Sequence, residues 1–175
     1  MLVANAICAS LMGLAMPNAQ QACAQLPTIL EMSEKYDIRP AVMIALIHEE
    51  SRYKANAVSR AGACGLTQVL PKYTQNPKLS CRQLKNPRVA IETGSKTLSK
   101  FYYSSYAKQN YKTALCTYNA GYRCKKSSAS YSESGHRYAK RILRRAVRIA
   151  RAANSYLSTA NQLDPYIDNC AATIK

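Results

Sequence analysis

The sequence predicts an all-α domain. Three observations carry that reading. Apolar residues recur at helical spacing in separate blocks, prolines and glycines fall at the block edges, and no two alternating apolar–polar runs stand as a strand pair. At 175 residues the chain is long enough for one domain with its own core, and a hydrophobic fraction of 47% argues against disorder.

Met1 to Met16 is largely apolar and is followed by Pro17-Asn18-Ala19 and Ala22-Cys23-Ala24, small-residue patterns of the kind a signal peptidase cuts. Residues 1–24 are therefore expected to be an export leader, although no Lys or Arg precedes Lys35. The apolar run is short for a membrane-spanning helix. Pro27 is expected to open a helix with Ile29, Met32 and Tyr36 on one face. Arg39-Pro40 starts the next, in which residues 41–47 are apolar all round, as suits a helix in the middle of a core.

That helix ends in His48-Glu49-Glu50-Ser51-Arg52. Two carboxylates directly after seven apolar residues are costly to bury, which makes the pair the first local hint of chemistry. Residues 53–73, with Gly62, Gly65 and Pro71, lack a sustained period and are expected to form a loop. Asn86-Pro87 caps a helix whose stripe is Val89, Ala90, Gly94, Leu98, Phe101 and Tyr102. A shorter helix carries Tyr111 to Tyr118 and stops at Asn119-Ala120-Gly121. Residues 123–136 are expected to be a polar linker and 136–157 a long final helix, so the body runs over 25–157 and a tail over 158–175.

The formal net charge is +16, from 25 Lys and Arg against 9 Asp and Glu. Such a field draws a protein toward polyanions, whether nucleic acid, anionic membrane or acidic cell-wall polymer. Arg137, Arg141, Arg144, Arg148 and Arg151 recur at steps of four and three and so share one stripe of the last helix, flanked by Lys140 and Arg145; it is either a solvated side or an anion-binding face. Tyr138, Ile142, Ala146, Ile149 and Ala153 form a second stripe, expected to face the core. The seven cysteines stand at 8, 23, 64, 81, 116, 124 and 170. Loss of a leader would remove Cys8 and leave six, a number suited to three disulfides in an oxidising compartment. No cysteine pair and histidine stand at zinc-ligand spacing, so neither a metal nor any other cofactor is expected.

Four blocks, taken in order, carry a family resemblance. They are Ile47-His48-Glu49-Glu50-Ser51-Arg52-Tyr53 continuing through Gly65-Leu66-Thr67-Gln68-Val69; Asn86-Pro87 with Ala90-Ile91 and Gly94; Ala114-Leu115-Cys116-Thr117-Tyr118-Asn119-Ala120-Gly121; and Gly135-His136-Arg137-Tyr138-Ala139 with Ile142-Leu143. The set resembles the soluble lytic transglycosylase (SLT) catalytic domain. The resemblance implies a lysozyme-like helical fold with a cleft, acting on the β-1,4 bond between N-acetylmuramic acid and N-acetylglucosamine of peptidoglycan. It makes Glu50, the residue before Ser51, the single catalytic carboxyl and Glu49 a neighbour. Such an acid protonates the leaving oxygen and then takes the proton of the muramoyl C6 hydroxyl, which closes a 1,6-anhydro ring; the attacking group is tethered, so no second carboxylate has to activate water.

By the same matching, Ser51, Gln68, Tyr118, Asn119 and Tyr138 are expected to bind the glycan. Thr67 stands where the family usually has Met, which predicts a smaller, more polar wall in the groove. Cys64–Cys81 and Cys116–Cys124 are expected to pair because each encloses a loop beside a signature block, with Cys23–Cys170 as the third bond, although six cysteines allow fifteen pairings. Two other functions compete. A hydrolytic muramidase would want a second acid, for which Glu92, Glu133, Asp164 and Asp168 remain after Glu50. A basic nucleic-acid- or wall-binding protein with an inactive cleft would show salt-sensitive DNA binding and no turnover. The expected partners are peptidoglycan strands and the proteins of a secretion complex or a virion, and the expected location is periplasmic or exported, or else on a phage particle.

Overall fold

Seven consecutive apolar residues cannot hide on one side of a helix, and α3 (Pro40–Ser51) is accordingly enclosed on all sides. Val42 through Ile47 are each 1% exposed or less. The computed structural model describes residues 2–75, 77–124 and 132–159. Around α3 stand α1 (Leu2–Gly13), α2 (Ala19–Lys35), α4 (Cys81–Leu84), α5 (Pro87–Tyr102), α6 (Tyr111–Ala120) and α7 (Glu133–Thr159), with 3-10 turns at Pro71–Tyr73 and Gly121–Cys124. α2 and α7 lie against α3, α1 against α2 and α7, α5 against α2 and α6, and α6 against α7. Among the described residues the only β pairing is two isolated bridges, Val58 with Cys64 and Cys64 with Val69. The fold is all-α.

Caps set the boundaries near the site. Asn86 accepts from the Val89 N–H and Pro87 follows as the first helical residue of α5. Asn110 does the same for α6 through the Thr113 N–H. Two boundaries differ from the sequence expectation. Pro27 lies inside α2, which begins at Ala19. A proline within a helix costs about 3 kcal/mol, but Ala22, Leu26, Ile29 and Met32 make one continuous buried stripe that outweighs it. α7 begins at Glu133, because the Ser132 hydroxyl accepts from the Gly135 N–H and caps it. The linker expectation for 123–136 therefore narrows: 123–124 and 133–136 are helical, and 125–131 lie outside the described residues.

Residues expected to be a leader form α1 and the first turn of α2. Ile7 and Leu11 are buried in the common core. Cys8 is bonded to Cys23, alongside Cys64–Cys81 and Cys116–Cys124. The expected Cys23–Cys170 bond is thus corrected, since Cys23 is taken by Cys8 across the α1–α2 turn; Cys170 lies outside the described residues.

Candidate active site

The site is built on the end of α3. The Arg52 N–H closes the helix on the His48 carbonyl at 3.1 Å, and Arg52 and Tyr53 both take left-handed backbone angles, φ 51° and 61°. Two such non-glycine residues in succession are strained and need support from outside the helix. Tyr53 is buried and its hydroxyl donates to the Ile44 carbonyl at 2.9 Å. Asn18, at the turn between α1 and α2, donates its side-chain amide to the Arg52 carbonyl at 2.9 Å. The reversal stops α3 directly after Glu50 and Ser51. Ser51 itself is buried, and its hydroxyl is turned back to the Ile47 carbonyl at 3.2 Å.

Glu50 is the most perturbed carboxyl of the site. Burial pushes its pKa up from the ordinary value to about 7; the Tyr138 hydrogen bond opposes this, and the negative charge of Glu49 adds to it. The Tyr138 hydroxyl of α7 donates to Glu50 Oε1. Burial and the neighbouring Glu50 raise the Tyr138 hydroxyl far above its ordinary value, so it remains a donor throughout the range in which Glu50 titrates. Tyr118 of α6 is likewise raised, by burial and then by Glu50, and donates to the Thr67 carbonyl at 2.8 Å. Tyr138 thus bonds the acid directly, whereas Tyr118 feels its charge and spends its hydroxyl on Thr67.

Tyr118 reaches into the loop that follows α3, and that loop is fixed at several points. Gly65 has φ +75°, and a Cβ on it would stand 1.8 Å from the Leu84 carbonyl oxygen, so only glycine fits. Cys64–Cys81 bonds the loop to α4. Thr67 is not a groove wall: it is fully buried, its hydroxyl donates to the Ala90 carbonyl at 2.7 Å, and a Cβ on Gly94 would stand 2.5 Å from its methyl carbon. The expected polar wall is corrected accordingly. Thr67 locks the loop to α5 and offers only its carbonyl, to Tyr118. Gln68, half-buried at φ 50°, donates its amide to the Gly65 carbonyl at 2.9 Å and the Ala57 carbonyl at 3.2 Å. Asn119 is exposed on the last turn of α6. Of the residues singled out from sequence, Glu50 and Tyr138 meet; Tyr118 is bonded to the Thr67 carbonyl, Gln68 and Ser51 bond backbone carbonyls nearby, and Asn119 is exposed.

One set of contacts was not legible as a site. Glu49 accepts from Arg141 Nε at 2.7 Å on one oxygen and from an Arg145 terminal nitrogen at 3.0 Å on the other. Burial pushes the Glu49 carboxyl up, but the two guanidinium hydrogen bonds overrule it and hold it below the ordinary range. The signal was present in the spacing, since Tyr138, Arg141 and Arg145 are three and four residues apart and share a face of α7.

The other acids are engaged elsewhere. Glu92 pairs with Lys35 at 2.7 Å and accepts from Tyr36, and Glu133 pairs with Arg137 at 3.3 Å on the surface of α7. Asp164 and Asp168 lie outside the described residues. An apolar cavity of about 260 Å³, lined among others by Val3, Ile7, Leu30, Ile44 and Ile149, holds none of the predicted site residues.

The transglycosylase SLT domain model matches residues 27–140, more than half of the chain. Among solved structures, the chain is similar to an inactive glutamate-to-glutamine mutant of the lytic transglycosylase Slt from Pseudomonas aeruginosa, at 22% identity and a TM-score of 0.59. It is also similar to the 70 kDa soluble lytic transglycosylase Slt70 from Escherichia coli, at 19% identity and a TM-score of 0.61. Each match covers 82% of this chain and 25% of the other, so the chain spans about a quarter of the length of these proteins.

Proposed function

The chain belongs to the transglycosylase SLT domain family, and from that premise we propose that it is a peptidoglycan lytic transglycosylase with Glu50 as its acid and base. It cuts the β-1,4 bond between N-acetylmuramic acid and N-acetylglucosamine and leaves a 1,6-anhydro end. The observation that carries this reading is the state of Glu50: a half-buried carboxyl whose desolvation raises its pKa to about 7, held on one oxygen by Tyr138. A carboxyl that is about half protonated near neutral pH can donate to a leaving glycosidic oxygen and, once ionised, accept a proton. Tyr138 occupies Oε1, so Oε2 is left to carry that proton. Once ionised, the same carboxyl takes the proton from the C6 hydroxyl as that oxygen attacks C1. Ser51, Gln68, Tyr118 and Tyr138 line the groove in this reading, and Asn119 reaches the glycan from the exposed last turn of α6.

Glu92 and Glu133, the described acids weighed as a second carboxylate, and the neighbouring Glu49 are each engaged by a cation. Glu49 is occupied by two arginines, Glu92 is bonded to Lys35 of α2, and Glu133 is bonded to Arg137 of its own helix. This supports internal attack over hydrolysis. No helix among the described residues is long and apolar enough to cross a membrane. The apolar run from Met1 to Met16 supports export to the periplasm, where the chain would open the wall locally; carriage on a virion is the alternative location. Leu2–Gly13 of that run form α1, so the intact mass of the exported protein decides whether 1–24 is cut away from the body at 25–157.

The direct test is Glu50→Gln, which keeps the shape and removes the transferable proton. Turnover of purified peptidoglycan should fall by several orders of magnitude while the thermal unfolding transition persists. A fully active variant would end the assignment.

A further inference from the structure

α7 grips two adjacent carboxyls of α3 from one face. Tyr138 takes Glu50 Oε1; one turn on, Arg141 takes Glu49 Oε1 at 2.7 Å, and one turn further Arg145 takes Glu49 Oε2 at 3.0 Å. The Glu49 side chain is 16% exposed and Arg145 28%, so the second pair is shielded more than an ordinary surface bridge, whereas Arg141 at 55% is open to solvent. With one guanidinium on each oxygen, the Glu49 carboxylate cannot rotate without losing a charge-assisted bond. Since Glu49 and Glu50 are consecutive in the last turn of α3, holding one fixes the backbone that carries the other.

We propose that Glu49, Arg141 and Arg145 form a positioning clamp that locks the end of α3 against α7 and sets the charge around the Glu50 carboxyl. The proposal rests on the reading of Glu50 as the acid. The groups that face Glu50 and its surroundings are few. Glu49 and His48 come from α3, Tyr118 from α6, and Tyr138, Arg141 and Arg145 from α7, with Arg52 at the α3 terminus. His48 is held below the ordinary histidine value by burial and then by Arg145 and Arg52, which favours its neutral form. That leaves Glu49 as the one negative charge acting on Glu50, and the two arginines as its neutralisers.

The clamp therefore has a test with opposite signs. Removing Glu49 deletes the like charge and frees two cations beside the acid; removing the arginines leaves Glu49 bare. Glu50 should titrate below the wild-type value in Glu49→Gln and above it in the double variant Arg141→Gln with Arg145→Gln, by about 0.5 or more in each direction. Replacing both arginines by Lys should restore a value near that of wild type, because the charges return. The measurement is a 13C titration of the Glu50 side-chain carboxyl in the full chain, identified by its loss in Glu50→Gln, so it needs no turnover. The falling limb of kcat against pH should move with it, while KM for a soluble glycan stays near wild type. Titrations that coincide in all three proteins, or that move the same way in both Gln variants, overturn the clamp. A wild-type chain with no turnover but with the opposed titrations would instead overturn the enzymatic reading and leave the clamp standing.

Discussion

Glu50 is held in a state that destabilises the protein. Its pKa is raised from 4.5 to about 7, chiefly by burial. Below about pH 4.5 the carboxyl is protonated both folded and unfolded, and the group costs nothing through its charge. As pH rises from there through 7, the unfolded chain ionises while the folded one resists, so stability falls; above 7 the loss levels off at about 3 kcal/mol. Glutamine escapes that loss. Chemical denaturation should find that the stability gain of Glu50→Gln over wild type grows by up to about 3 kcal/mol between pH 4 and pH 8. A gain that does not change with pH would mean that Glu50 is not desolvated as described. At this scale the apolar run before His48-Glu49-Glu50-Ser51 marked the pair of carboxyls, and only the resemblance of the ordered blocks pointed to Glu50 within it. Thr67 was not legible, because a residue type does not reveal whether its hydroxyl faces a groove or, as here, the Ala90 carbonyl. Glu49 looked like a bystander for a related reason: both of its partners lie more than 90 residues away.

Of the helices, α7 was the most legible, since its apolar stripe of Tyr138, Ile142, Ala146, Ile149 and Ala153 is buried as the spacing requires. The arginine stripe on its other side divides into two functions that spacing alone could not separate. Arg137 pairs with Glu133 and Arg141 with Glu49, whereas Arg144, Arg148 and Arg151 stand exposed. Arg144, Arg148 and Arg151 are the arginines through which the stripe is proposed to meet an anionic wall or membrane. Changing them to Gln should weaken binding to intact sacculi, and the difference from wild type should shrink as salt rises, because screening already weakens the same attraction. Turnover of a short soluble glycan should stay near wild type; an equal loss on both substrates would show that these arginines serve the fold. α2 shows where local rules fail. Pro27 is a strong start signal, yet the buried stripe from Ala22 to Met32 carries the helix through it.

For the whole molecule, the ordered blocks made the all-α fold legible, and the two disulfides beside them followed from loops that each bond had to close. The N-terminal segment was harder. An apolar run next to small residues is the pattern of a leader, and it is equally the pattern of a helix that buries Ile7 and Leu11 against α2 and α7. The choice of Cys8 over Cys170 for Cys23 depends on that packing, which composition does not encode. In the proposed reading a single carboxyl, bonded by Tyr138 and with a pKa of about 7, serves as acid and base while Glu49, Glu92 and Glu133 are held by cations, an arrangement that suits attack by a group already tethered to the substrate. Product mass reads that choice directly. Digestion of purified peptidoglycan by the native chain should release muropeptides ending in 1,6-anhydro-N-acetylmuramic acid, lighter by one water than the products of hydrolysis. Reducing-end muropeptides alone would contradict it.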